Sequence, residues 1–306
     1  MFDVYRSDSI KNAERVNRGA LSRISFRTIE PGHIIKQWRN FLCSPENKTR
    51  LIEFLVSDWS KEEKRSQLKG KEMYVTVGEI CMRLTEDSVN ECEALKSSQE
   101  EANMRMILHA VHCSKSGYSS VVVVSEDTDV FVLCIAFADN VTCPLYVKCG
   151  SKTRVQYVDV GKVTEMLGAA KCNALLGVHA FSGCDTVSAF TGRGKLSCLR
   201  LLGTDHIETL TQLGMNWTLS DELFASLESL TCRIYSARSN TDSINDLRFC
   251  AKKGEVDSWQ LPPCSSSLKI IANVPIINVP FVGEAWMRFQ ISLTQLAMNG
   301  RRRTEN

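Results

Sequence analysis

No two cysteines of this 306-residue chain stand in a Cys-x-x-Cys pair, and the spacing of all thirteen is irregular. That excludes the usual zinc-ribbon and thioredoxin-type patterns, so the cysteines read as reduced core thiols of an intracellular protein. Excess charge is also lacking. Lys and Arg number 37 against 35 Asp and Glu, a net +2, so any polyanion must be gripped by local basic patches and not by the bulk field. No long apolar run is present either. The longest, around Val130–Ala138, falls well below the ~20 residues that span a bilayer, and no basic leader with an apolar core opens the chain. The expectation is a nuclear or cytoplasmic protein, neither secreted nor membrane-bound, with enough apolar residues for one large domain or two smaller ones.

What is present centres on Val121–Ala138, VVVVSEDTDVFVLCIAFA. Four consecutive valines without polar alternation predict a strand buried on both faces, as in the centre of a parallel sheet flanked by helices. Glu126, Asp127, Thr128 and Asp129 follow where ligands of such sheets bind, beyond the carboxyl ends of the strands. Asp127 and Asp129 can project from one turn as hard oxygen ligands suited to Mg²⁺ or Mn²⁺. Equally, Asp and Thr after a strand are N-cap chemistry for a helix over DVFVLCIAFA.

Upstream, FDVYR reads as the end of a strand. Arg6, Lys11, Arg15 and Arg18 recur at spacings that put several on one side of a helix starting near Ser9, either a phosphate-gripping stripe or a solvated face that also carries Glu14. Ile34, Ile35, Trp38, Phe41 and Leu42 form an apolar helical stripe, and Ser44-Pro45 supplies a stop and a new N-cap. Lys61–Lys71 reads as an exposed helix end and loop, Tyr74–Gly78 as a strand. Ser98 and Glu101 form a capping box for a helix bearing Met104, Ile107, Leu108 and Val111. His109, His112 and Cys113 do not make a zinc site, because adjacent helical residues point about 100° apart.

Further on, Leu145–Lys148 and Val155–Val158 read as strands and Val163–Leu167 as a helix. Gly183 permits a turn before Asp185, while Gly192 and Gly194 allow close backbone approach. Lys195 opens a helix whose N-terminal amides, with Arg193 and Lys195, can hold a phosphate; a plain glycine-rich connection is the competing reading. Leu219–Arg233 is expected as helix, Asn240–Lys253 as merely polar, Ile270–Val282 as a Pro-interrupted apolar stretch and Arg301–Arg303 as a tail.

In this order, FDVYR…SIKNAER, SSQEEANMRMILHA, VVVVSEDTDVFVL and ALLGVHAFSGCDTVSAFTGRGK resemble the PIN-like nuclease fold, specifically its flap-endonuclease branch, over residues 1–202. The resemblance implies an α/β three-layer sandwich with a central, mainly parallel sheet and a helical insertion at about 19–84, followed by a C-terminal extension over 203–306. It also implies carboxylates holding two divalent ions, Mg²⁺ or Mn²⁺, that hydrolyse a phosphodiester, with DNA favoured over RNA as partner. By motif position Asp3 matches the acid of the family's FDG strand end and Glu101 the first acid of its EAE helix. Asp127 and Asp129 match the pair in its EDxD turn, and Asp185 the acid of its GSD segment. Thr191–Lys195, with Gly192 and Gly194, resembles the hairpin that clasps duplex backbone, without its GIG. Asn103 stands where a second helix acid is expected, and the family's first strand, with a further metal-binding Asp, would precede Met1. The alternative expectation is a catalytically inactive PIN-like module that binds nucleic acid or protein.

Overall fold

The computed structural model describes residues 1–5, 26–98, 102–151, 153–182, 190–203, 206–213, 219–236, 238–254, 257 and 260–273. Arg6, Lys11, Arg15, Arg18, Glu101, Asp185 and the stretch after 273 lie outside them. By its internal contacts the chain divides into two units, Met1–Cys113 and Ser114–Asn306, a division distinct from the boundary expected near residue 202.

In the first unit, helices α1 (Trp38–Cys43) and α2 (Pro45–Trp59) are separated by Ser44. The Ser44 side chain accepts from Asn47 N at 3.3 Å, and Pro45 occupies the first helical position, as the sequence implies. The expected stripe upstream is only partly realised. Helix begins at Trp38, Ile34 is 84% exposed, and Phe41 alone is fully buried, wedged edge-on between Phe26 and Trp38. A short α3 (Glu62–Arg65) leads to an antiparallel meander of β1 (Met73–Val77), β2 (Ile80–Leu84) and β3 (Val89–Glu91). Val77 pairs with Ile80, so Gly78 and Glu79 form a two-residue hairpin loop, and Gly78 takes the positive φ of 52° that such a loop demands. Met1–Tyr5 carries no strand; instead the Phe2 amide donates to the Thr76 hydroxyl at 2.8 Å.

Helix α4 (Ala102–Lys115) buries Ile107, Ala110 and Val111, and with them Arg105, 1% exposed. The Arg105 guanidinium donates to the carbonyl oxygens of Gly78 at 2.6 Å, Ile80 at 3.2 Å and Phe2 at 3.4 Å. His109 is buried beside it, edge-on to Tyr74 with Cys81 Sγ 3.9 Å from Nε2. Burial, and then the Arg105 charge, push its pKa down to about 3, so the ring is neutral.

In the second unit, β4 (Val121–Val124) pairs parallel to β5 (Leu145–Cys149) across the connecting helix α5 (Thr128–Ala136). β5 in turn pairs antiparallel to β6 (Gln156–Asp159). This is a mixed α/β arrangement, with one parallel pair among its three strands. The four valines are not buried on both faces. Val123 is buried, whereas Val122 is 45% and Val124 67% exposed, because β4 is an end strand among the described residues and only one face of its sheet is covered. Helix α6 (Val160–Leu167) starts from β6, capped by Asp159 accepting from Lys162 N at 3.1 Å.

Helix α7 (Ala169–Ser182) packs on α5 and on α9 (Ile207–Gln212). A Cβ at Gly177 would sit 1.9 Å from the Leu210 carbonyl oxygen, so only glycine lets α9 approach this closely. Between them α8 (Lys195–Leu199) starts at Lys195, where the sequence places it. α10 (Asp221–Tyr235) is capped by Ser220. The polar stretch Asn240–Lys253 contains a further helix, α11 (Ile244–Lys253), with Ser243 accepting from Asp246 N at 3.3 Å and Ile244 fully buried.

Of the cysteines, the twelve described are all free thiols. Cys81, Cys134, Cys198 and Cys232 are buried and Cys43 and Cys250 exposed, so the reading as core thiols holds for only part of the set.

Candidate functional site

β4 ends at Val124, the next amide, Ser125 N, still bonds Lys148 O at 3.1 Å, and the chain then turns. The Ser125 hydroxyl accepts from Asp127 N at 3.0 Å, and Asp127 Oδ1 accepts from Asp129 N at 2.8 Å. Asp127 is therefore the N-cap of α5, the structural half of the two readings open from sequence. Capping does not spend a carboxylate, whose two oxygens offer about four lone-pair sites. It also places Asp129 in the first turn of α5, where the helix dipole favours a negative charge.

Asp129 is where distant parts of the chain converge. Lys195 Nζ lies 2.8 Å from Asp129 Oδ1, across 66 residues of sequence. His179 Nδ1, from the last turn of α7, lies 3.4 Å from the same oxygen. All three side chains are mostly withdrawn from water, Asp129 and His179 at 19% exposure and Lys195 at 24%. A carboxylate in this partly dried corner demands a positive neighbour, and the ammonium of Lys195 meets that demand.

The adjoining turn is Phe190–Arg193, closed by Arg193 N donating to Phe190 O at 3.0 Å, with Gly192 at φ 68°. Nothing stands within 4 Å of a Cβ built on Gly192 or Gly194, so the requirement at Gly192 is for backbone conformation. Arg193 Nη2 donates to Tyr235 O at 3.1 Å.

Asp3 lies in the first unit, where its Oδ1 accepts from Ala102 N at 2.9 Å, at the start of α4. It thus reaches the residue after Glu101, which itself falls outside the described residues, as does the capping box it would close with Ser98. Among the described residues the structure brings Asp127, Asp129 and Lys195 together, and no three His, Cys, Asp or Glu side chains form a metal-holding group. One participant, His179, was missed from sequence, although it belongs to the quoted HAFSG motif, which already pointed to its segment. Outside the site, buried Arg105 stands one place off the apolar stripe of its helix and gave no such sign.

No family model, no curated protein and no solved structure matches this chain.

Proposed function

We propose that this chain is a metal-dependent, nuclease-type domain that hydrolyses phosphodiesters of DNA or structured nucleic acid, built on a three-layer PIN-like sandwich. The observation that carries the reading is the meeting of Asp129, from the SEDTD turn, with Lys195, from the TGRGK segment. To the first of these motifs the resemblance assigns ligation, and to the second phosphate contact. The parallel β4 and β5 joined through α5, with acids beyond the carboxyl end of β4, agree with a ligand crevice of this class.

Asp127 and Asp129 offer hard oxygen donors, and Asp129 already holds a cation, so the donor set fits Mg²⁺ or Mn²⁺. By motif position alone, the resemblance also assigns ligation to Asp3, Glu101 and Asp185. When bound, such ions activate water and neutralise developing charge on phosphate. The chain's own residues fix the geometry: the Asp127 cap holds the turn rigid, and Lys195, once released from Asp129, is a ready phosphate contact beside Arg193. Gly192 and Gly194 keep the backbone there free of side chains.

Asp127→Asn tests this cleanly, because asparagine caps a helix as well as aspartate and removes only the charge. Single-stranded, flap and hairpin DNA incubated with Mn²⁺ should be cut by the parent and left intact by the variant, with matching melting temperatures. A second reading, a binding module without catalysis, draws on the same corner: Lys195 satisfies Asp129 without any ion from solution. DNA retained but uncut by the parent would establish that reading in place of the first.

A further inference from the structure

Beside the TGRGK turn the second unit contains a cleft of about 670 Å³ lined by neither Lys195 nor Asp129, within the ~300–1,000 Å³ of small-ligand sites. Its one charged side chain is Arg193, and no acidic side chain lines it among the described residues. The guanidinium is held in a fixed attitude, with Nη2 on the Tyr235 carbonyl and its central carbon 5.7 Å from the centre of the Tyr235 ring. That ring is braced edge-on by Phe190, and Phe190 by buried Phe181. An arginine has five N–H donors in a planar fork. One is used on Tyr235, and the side chain is otherwise exposed, so the fork remains able to take an anion.

The rest of the lining has different chemistry. Leu247, Ala251 and Pro262 give it an apolar surface, while Thr191, Ser236 and Gln260 add hydroxyl and amide groups at its edges. A ligand matching all of this has an anionic group, a flat apolar body, and hydrogen-bonding edges. Those are the properties of a nucleotide, whose phosphate suits the arginine fork and whose base presents a π face to apolar and aromatic walls. A glutamine amide is suited to a base edge in the same way.

We propose that this cleft receives one unstacked nucleotide of the nucleic acid, its phosphate on Arg193 and its base between Tyr235 and the Leu247–Ala251–Pro262 wall. The inference rests on the nucleic-acid reading and narrows it: the preferred substrate carries an unpaired nucleotide next to duplex. Arg193 then serves recognition, apart from the Asp127–Asp129 corner.

The test uses the full chain without added metal and two probes, dAMP against inorganic phosphate, and a duplex with a central unpaired bubble against the fully paired duplex. Titration should show dAMP binding about tenfold tighter than inorganic phosphate, the increment of one good apolar contact. The bubble should be preferred over the paired duplex. Leu247→Trp, which fills the cleft, should remove both preferences. Arg193→Gln, at an exposed position, should weaken dAMP by about tenfold, the value of a charge-assisted contact, and covers the case in which the tryptophan variant does not fold. Preferences unchanged in Arg193→Gln would overturn the proposal while leaving the nuclease reading intact. If dAMP binds in a Leu247- and Arg193-sensitive way but no oligonucleotide binds, the nuclease reading falls and the cleft stands as a nucleotide site.

Discussion

Arg105 in the first unit and Lys195 in the second are both drawn out of bulk water, but what holds them differs. Arg105 is fully buried against three neutral backbone carbonyls. Lys195 keeps about a quarter of its surface and rests on one carboxylate with an imidazole alongside. A guanidinium shared among the carbonyls of Gly78, Ile80 and Phe2 ties a hairpin to the segment before it, and this fork of bonds is geometric and carries no charge to be exchanged. An ammonium on a carboxylate that solvent can reach satisfies a charge, and any other cation can satisfy the same charge. The first arrangement is a strut and the second an exchangeable counter-ion, and the candidate site centres on the second.

Removing the strut should have the largest effect. Arg105→Met keeps much of the buried volume but takes the guanidinium away from the Gly78, Ile80 and Phe2 carbonyls, of which Phe2 O keeps the Thr76 hydroxyl at 3.5 Å, at about 1–3 kcal/mol for each group left unpaired away from water. Denaturant unfolding should show a loss of about 3 kcal/mol or more, and proteolysis should open the β1–β2 hairpin first. A loss below about 1 kcal/mol would mean that Arg105 is no strut.

His109 sharpens the same contrast through pH. Its neutral ring is buried next to Arg105, with a folded pKa of about 3 against an ordinary value near 6.5. Between those two values the unfolded chain binds a proton that the folded chain refuses. Stability is therefore complete above the ordinary value and declines as pH falls toward 3, by up to about 1.4 kcal/mol per pH unit. Unfolding midpoints measured from pH 7 to 4 should follow this slope, and His109→Gln should flatten it.

How much of this the sequence discloses depends on the range of each interaction. The Ser44 cap with Pro45, the Asp127 cap of α5 and the start of α8 at Lys195 are settled by hydrogen bonds or torsions within a few residues, and they can be read from the string. Ser243 with Asp246 is of the same local kind; reading the stretch as merely polar passed over a cap pattern followed by buried Ile244. Interactions across long separations left no such trace. The burial of Arg105 depends on a hairpin more than twenty residues away, and the pairing of Asp129 with Lys195 on α7 and α8 folding back over α5. The valine run misled because a run of valines states that a strand is favourable, whereas burial of its second face depends on what packs there. Asp127 and Asp129 were legible as a pair; that Asp129 already carries a cation was not.

Lys195→Met gives the smallest change in stability and the most informative one. A partly exposed ion pair contributes about 1 kcal/mol or less, so the variant should melt close to the parent. Its response to metal should move further. In the parent, Mn²⁺ must compete with the ammonium for Asp129; in the variant the carboxylate is left without its lysine partner, and His179 beside it is a weaker rival. Titrating Mn²⁺ against melting temperature should show tighter binding in the variant, by about tenfold, equivalent to about 1.4 kcal/mol. Duplex affinity should fall at the same time, because the residue that releases Asp129 is the one proposed to take phosphate. Gain of metal with loss of nucleic acid is the signature of an exchangeable counter-ion. Loss of both, or a melting temperature that collapses as in Arg105→Met, would make Lys195 a second strut and erase the distinction between the two cations.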